Sequence, residues 1–289
     1  MLDDASEAHR LTGFSGADVF RATRDGRHWF VRKAASSPVG NERLRRQVAK
    51  QTAFAAAAGL SLRTPRILGE GTIDERYYFD MEYVRGLDGV SYLRQASYPD
   101  VVRFGDRLCE YLLLAAEQPP LMPSASASLF ESLYNKICDV QRTTQRIAPH
   151  DLSRLFLALD RLRNLPQMNP TLCHGDLTLQ NMLIDDDGTI WVVDLLDAPF
   201  EHYWQDVAKL QQDLSGGWYL LQQAPIAQCV LDYLRQRLIA TAVRLMPSYA
   251  EVHSLLVACT FVRILPYAHT PEQIEFVTRR IGYFAGNAV

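Results

Sequence analysis

Residues 11 to 33 alternate apolar and polar side chains around Arg24-Asp25-Gly26-Arg27-His28, the pattern of two short strands joined at an Asp-Gly turn. From about Pro38 to Ala58 the period lengthens. Leu44, Val48, Gln51 and Phe54-Ala55 recur every three to four residues and predict a helix. Pro65 returns the chain to extended structure, and the runs ILGEGTI and RYYFDMEYV, separated by Asp74-Glu75, predict a second hairpin. Residues 1–84 therefore predict a small β-rich unit crossed by one helix. Arg85-Gly86-Leu87-Asp88-Gly89 predicts a flexible connection, with 85–98 as the hinge and linker.

Beyond the linker the pattern is helical, with helices predicted over about 99–117, 125–147, 151–164, 204–214, 224–245, 249–264 and 271–285. Thr270-Pro271 supplies an N-cap and first helical position for the last of these. One segment interrupts the helices. Residues 171–197, TLCHGDLTLQNMLIDDDGTIWVVDLLD, hold two short apolar strands, Met182 to Ile184 and Ile190 to Val193, around an Asp-Asp-Asp-Gly turn. The expected fold class is α+β in two lobes, with 99–289 forming the larger, mainly helical one.

Composition narrows the class without naming a partner. A chain of 289 residues, 48% hydrophobic and 22% charged, is neither disordered nor fibrous, and lies near the size at which one core divides into two. Its formal net charge of -3 gives no general electrostatic reason to bind nucleic acid or an anionic membrane. MLDDASEAHR lacks the basic start and apolar stretch of a secretory signal. The tract VHSLLVACTFVRILPYA, interrupted by Arg263 and Pro266, falls short of the roughly 18 to 20 uninterrupted residues of a spanning helix. The five cysteines, Cys109, Cys138, Cys173, Cys229 and Cys259, form no CxxC pair and read as buried thiols. The expectation is a cytoplasmic protein without membrane insertion.

Within 171–197, oxygen-bearing side chains are spaced to meet in one cleft. Asp176 lies in a loop behind His174-Gly175, Asn181 opens the first strand, and Asp194 ends the second. Phosphoryl transfer calls for such a set: a carboxylate beside an acceptor hydroxyl, and an amide plus a carboxylate as hard oxygen ligands for magnesium. The run at 185–188, by contrast, reads as a solvated turn.

HGDLTLQN at 174–181 and VVDLLD at 192–197 together resemble the catalytic and metal-binding motifs of the aminoglycoside phosphotransferase and choline kinase superfamily. These are small-molecule kinases with a protein-kinase-like fold, so the resemblance implies ATP and magnesium as cofactors. It implies that Asp176 is the catalytic base, that Asn181 and Asp194 hold magnesium, that His174 braces the loop, and that Asp206 anchors it. In the first lobe it places a phosphate-binding cation within VRK at 31–33. Lys33 is favoured because Val31 and Lys33 share a strand face, letting Val31 cover adenine, with Arg32 as the alternative. Ser15 and its neighbouring amides, in Gly13-Phe14-Ser15-Gly16, would cap a phosphate. The hinge FDMEYVRG would offer the Glu82 carbonyl and Val84 amide to adenine, with Met81 or Phe79 bordering the base.

Two departures stand out. A helical Glu usually pairs with the strand lysine, and Gln47 occupies the expected position, leaving either Glu42 from a shifted helix or a neutral hydrogen bond. Leu195 replaces the aromatic residue common after the metal-binding Asp and keeps apolar packing there. The implied acceptors are sugars, polyols, amino alcohols and aminoglycosides. A cationic acceptor would call on carboxylates and rings, which Asp197, Glu201, His202, Tyr203, Trp204 and Trp218 could supply. The run from LTLQN to LQQDL is also similar to kinase-like proteins of surface-polysaccharide biosynthesis, which ranks a sugar or polyol hydroxyl ahead of an antibiotic. A nucleotide-binding regulatory module of the same fold is the alternative to a small-molecule phosphotransferase.

Overall fold

The computed structural model describes residues 6–11, 17–57, 59–121, 128–163, 165, 168–198 and 200–288. Five antiparallel strands form the first lobe in the order β1-β2-β3-β5-β4: β1 (Glu7–Leu11), β2 (Ala17–Thr23), β3 (Trp29–Ala35), β4 (Ile67–Ile73) and β5 (Arg76–Glu82). Asp25 makes the β2-β3 turn by accepting the amides of Arg27 and His28 at 2.9 and 2.8 Å. Asp74 and Glu75 both take positive φ, 50° and 61°, which the twist of a tight β4-β5 hairpin requires.

Helix α1 (Asn41–Ala56) crosses this sheet, and Leu44 packs in a small core with Val31, Tyr77, Phe79 and Met81. Alternation along β3 then sorts its charges. Val31 and Lys33 share the face toward α1, while Arg32 points the other way into a buried pair with Asp80 at 2.7 Å.

The connection after Val84 is ordered, which corrects the expected flexible linker. Gly86 packs against β7 (Met182–Ile184) so closely that a Cβ there would lie 2.5 Å from the Ile184 carbonyl oxygen. β6 (Leu87–Asp88) pairs with β7, and Asp88 caps the short helix α2 (Gly89–Gln95) by accepting the amides of Val90 and Ser91. Val90 and Leu93 are buried in the main core, so this stretch is part of the helical lobe's floor.

That lobe comprises α3 (Tyr98–Glu117), α4 (Leu129–Thr144), α5 (Pro149–Leu162), α6 (Tyr203–Leu214), α7 (Gln228–Leu245), α8 (Tyr249–Ile264) and α9 (Pro271–Gly286), with β7 and β8 (Ile190–Val192) inserted. Capping boxes start α3, α4 and α9, at Ser97/Asp100, Ser128/Glu131 and Thr270/Gln273. α8 is apolar nearly all round because it runs through the centre of the lobe. Tyr249–Tyr267 is long and apolar enough by composition to cross a membrane, yet 67% of it is buried inside the protein. Of the five free cysteines, Cys109, Cys173 and Cys259 are buried; Cys229 is exposed and Cys138 half-buried, against the expectation for those two.

Candidate active site

The loop carrying HGD is shaped by contacts that dictate its sequence. Gly175 has φ +89°, and a Cβ there would lie 1.9 Å from the Leu196 carbonyl oxygen. Only glycine allows both the conformation and the approach. His174 is fully buried, accepts the Asp176 amide at Nδ1 (3.2 Å) and meets the Val193 carbonyl at Nε2 (2.9 Å), so Nε2 carries the proton. Burial lowers its pKa to about 4, keeping it neutral.

α6 supplies the braces beneath the loop. Asp206 accepts the amides of His174 and Gly175, both at 2.8 Å, and the Tyr111 hydroxyl at 2.6 Å. Two turns later Asp213 accepts the Leu179 amide at 2.8 Å. Burial raises the pKa of each carboxyl to about 6 against these hydrogen bonds. Every residue of α6 is buried, charged ones included. Charges at i, i+3 and i+7 on one helix, Asp206, Lys209 and Asp213, are a signal readable in the sequence, of which the motif covers Asp206 alone.

Lys209 is the more consequential of the two that lie outside the motif. Its Nζ lies 2.9 Å from Oδ1 of Asp176, and the side chain is 7% exposed. Asn181 Nδ2 donates to the carbonyl and to Oδ2 of Asp176 at 2.8 and 3.0 Å. Burial pushes the Asp176 carboxyl up, but the charges of Lys209 and then Arg263 outweigh it and hold the group below the usual carboxylate range. Asp176 is thus an oriented, ionised carboxylate, half-buried at the cleft.

On the same side of the cleft, Asp194 takes φ +62° and accepts Lys33 Nζ at 2.6 Å and Gln47 Nε2 at 3.2 Å, both on Oδ1. Those contacts outweigh burial and keep its carboxyl below the ordinary range. Asp194 Oδ2 and Asn181 Oδ1 have no hydrogen-bond partner among the described residues, leaving hard oxygens suited to a divalent cation that phosphates would also ligate. No group of three or more His, Cys, Asp or Glu side chains able to hold a metal occurs among the described residues.

The open question about Lys33's partner resolves away from both candidates. Glu42 is exposed and pairs with Arg46 at 3.1 Å. Gln47 is buried but donates to Asp194. α1 instead reaches the other lobe through Lys50, whose Nζ lies 2.8 Å from Glu201 and 2.7 Å from the Leu196 carbonyl. Lys50 is fully buried, a cation no motif identified.

At the hinge, Val31 is 8% exposed on the cleft face of β3. The Glu82 amide donates to the Arg66 carbonyl at 3.0 Å, and the Val84 amide has no hydrogen-bond partner among the described residues. Ser15 and the rest of Gly13-Phe14-Ser15-Gly16 lie outside the described residues. Leu195 is buried in the core, as its apolar character implied.

The expected acceptor cage does not assemble. Glu201 is committed to Lys50, and His202, Tyr203 and Trp204 are buried in the core where α6 begins, with His202 capping that helix. Trp218 is half-buried against Phe276. Aromatic residues at helical spacing here are packing. Asp197 alone is exposed, 3.5 Å from Arg46.

Residues 8–252 match the sequence profile of the phosphotransferase enzyme family, APH. No curated protein sequence matches the chain significantly. Among solved structures, a candidate fructosamine-3-kinase from Thermobifida fusca YX-ER1 is similar at 16% identity and TM-score 0.66, over 98% of this chain and 94% of that one. Aminoglycoside 2'-phosphotransferase-IIIa in complex with GDP is similar at 14% identity and TM-score 0.71, over 99% and 95%. A mutant of aminoglycoside phosphotransferase APH(4)-Ia with ADP and hygromycin B gives 14% and 0.67, over 100% and 96%. At such identities the likeness carries the fold, and the family match adds the chemistry: the chain belongs to the phosphotransferase enzyme family and is a small-molecule kinase.

Proposed function

We propose that this protein transfers the γ-phosphoryl group of ATP, with magnesium, to a hydroxyl of a small metabolite, a sugar or polyol ahead of an amino alcohol or aminoglycoside. The observation that carries this reading is the convergence of Lys33, Asp194, Asn181 and Asp176 on one cleft between the lobes. Residues 1–84 hold the nucleotide, and 99–289, floored by the ordered stretch 85–98, supply the chemistry and receive the acceptor. Val31 covers the base, the Glu82 carbonyl and Val84 amide pair with it, and Lys33 moves from Asp194 to the phosphates. Asn181 and Asp194 would hold magnesium, which supplies charge neutralisation on the phosphate oxygens when bound.

Asp176 accepts the acceptor's hydroxyl proton. As the acceptor oxygen bonds to the γ-phosphorus, the bond to the β,γ-bridging oxygen breaks and ADP leaves. Its low pKa suits a loose transition state, in which orientation matters more than base strength.

Gln47 favours a second reading. Because it donates to Asp194 and leaves Lys33 no carboxylate on α1, the same fold could bind nucleotide as a regulatory module. An ATP-consumption screen across sugars, polyols, amino alcohols and aminoglycosides, with product mass, separates the two. A product one phosphoryl group heavier supports the kinase; tight Mg-ATP binding with no consumption across the panel sinks it.

A further inference from the structure

One cleft carries chemistry that phosphoryl transfer leaves unused. Between α4, α8 and the chain after Asp194 lies a cavity of about 560 Å³, lined by Ser132, Asn135 and Lys136 of α4, Arg263 of α8, and Asp139 and Asp197. Two of its lining residues, Arg263 and Ser132, each hold one polar atom, Nη1 and Oγ, that is buried without a hydrogen-bond partner among the described residues. A buried donor without an acceptor calls for a partner that the protein itself does not supply.

The charges there are unevenly satisfied. Asp139 is engaged by Arg142 at 2.8 Å and Asp197 by Arg46 at 3.5 Å. No described carboxylate forms an ion pair with Arg263 or Lys136. The two cations are therefore the charges of the cavity that lack an ion-pair partner among the described residues. Asp197 follows Leu196, whose amide donates to the His174 carbonyl at 3.0 Å, which places the cavity beside the loop that carries Asp176.

We propose that this cavity is the acceptor subsite and that the acceptor is a hydroxyl compound bearing an oxyanion, a sugar phosphate or sugar acid. Arg263 and Lys136 hold the anionic group, Ser132 donates to it, and a hydroxyl of the same molecule reaches Asp176. The proposal rests on the phosphoryl-transfer reading and names its substrate class. A guanidinium's fixed fork matches carboxylate and phosphate oxygens, which is why Arg263 is the principal contact. An ammonium group would meet two like charges and no free carboxylate, so amino sugars are disfavoured.

Four probes differing in one substituent test this: glucose 6-phosphate, glucuronate, glucose and glucosamine. Each is titrated by ligand-observed NMR into protein saturated with Mg-AMP-PNP, which keeps the probes out of the nucleotide site. Glucose 6-phosphate and glucuronate are expected to bind at least about tenfold tighter than glucose, with glucosamine weakest. Arg263→Met should cost the anionic probes about tenfold or more and leave glucose unchanged, while Arg263→Lys falls between. Lys136→Met, on a partly exposed face, weakens the same probes and keeps the test independent of how Arg263→Met folds. Preference for the phosphate over the uronate, or the reverse, assigns the oxyanion. Equal binding of all four probes, no binding of the anionic ones, tightest binding of glucosamine, or indifference to both Met variants overturns the proposal. AMP-PNP affinity in the same samples separates the two levels: if it is intact, only the acceptor class falls; if wild-type protein binds no AMP-PNP, the kinase reading falls as well.

Discussion

The two sides of the cleft are built from different forces. On the helical side, backbone amides of the 174–181 loop donate to buried carboxylates, His174 and Gly175 to Asp206 and Leu179 to Asp213. On the sheet side, the contacts that cross the cleft are mainly ionic, Lys33 to Asp194 and Lys50 to Glu201. The first set is directional and complete before any ligand arrives. The second divides again: Lys33 meets a carboxylate that is 30% exposed, whereas Lys50 meets one that is 6% exposed. The 174–181 loop is therefore held before any ligand arrives, α1 is clamped to the lobe that carries it, and Lys33 makes the more exposed of the two ionic contacts.

The clamp offers the largest way to break this comparison. Lys50→Met strands a buried Glu201 and should cost about 3 to 5 kcal/mol in urea unfolding. Adding Glu201→Gln should recover part of that loss, since the two residues share one interaction. A Lys50→Met cost near zero would show that α1 is not held by the pair.

The helical side is probed through charge. Lys209→Met removes the cation on Asp176, so that carboxyl moves upward from its lowered value. A step that needs the carboxylate is lost as pH falls through the pKa, so the acid limb of the pH-rate profile should shift to higher pH. Lys209→Arg should retain most of the wild-type profile. An unmoved limb in the Met variant would remove Lys209 from the account.

Near neutral pH the smallest expected effect concerns the cap of α6, because it develops only as pH falls below 6.5. His202 accepts the Trp204 amide at Nδ1, and burial lowers its pKa from 6.5 to about 3. A histidine kept neutral by folding contributes stability that is full above its unfolded pKa and is lost as pH falls toward the folded one. Between pH 6.5 and about 3 that loss is roughly 1 kcal/mol per pH unit, and His202→Gln should remove it. His174 acts in the same sense, while Asp206 and Asp213, with pKa raised to about 6, act oppositely. Chemical denaturation of both proteins across this range reads the difference in slope.

The sequence disclosed what depends on local pattern. Alternation separated Lys33 from Arg32 because a strand's faces alternate, and the hairpin around 185–188 brought Asp194 back beside Asn181, whose carbonyl accepts the Val193 amide. Contacts between distant elements stayed hidden. Lys50, Lys209 and Asp213 belong to no short motif, and each acquires its role only when α1 and α6 pack against the loop. The acceptor cage failed for the converse reason: a cluster of rings near a site looks alike in sequence whether it faces a ligand or the core. The ordered stretch 85–98 was missed because Asp88, its N-cap, sits between glycines that read as a turn.

The central claim is that the preorganised carboxylate of Asp176 serves transfer and not nucleotide binding. Asp176→Asn, measured for transfer to the acceptor identified by the screen and for Mg-AMP-PNP affinity, tests it directly. The account predicts a turnover loss of about a thousandfold or more, with affinity within about threefold of wild type. Turnover within tenfold of wild type would contradict it.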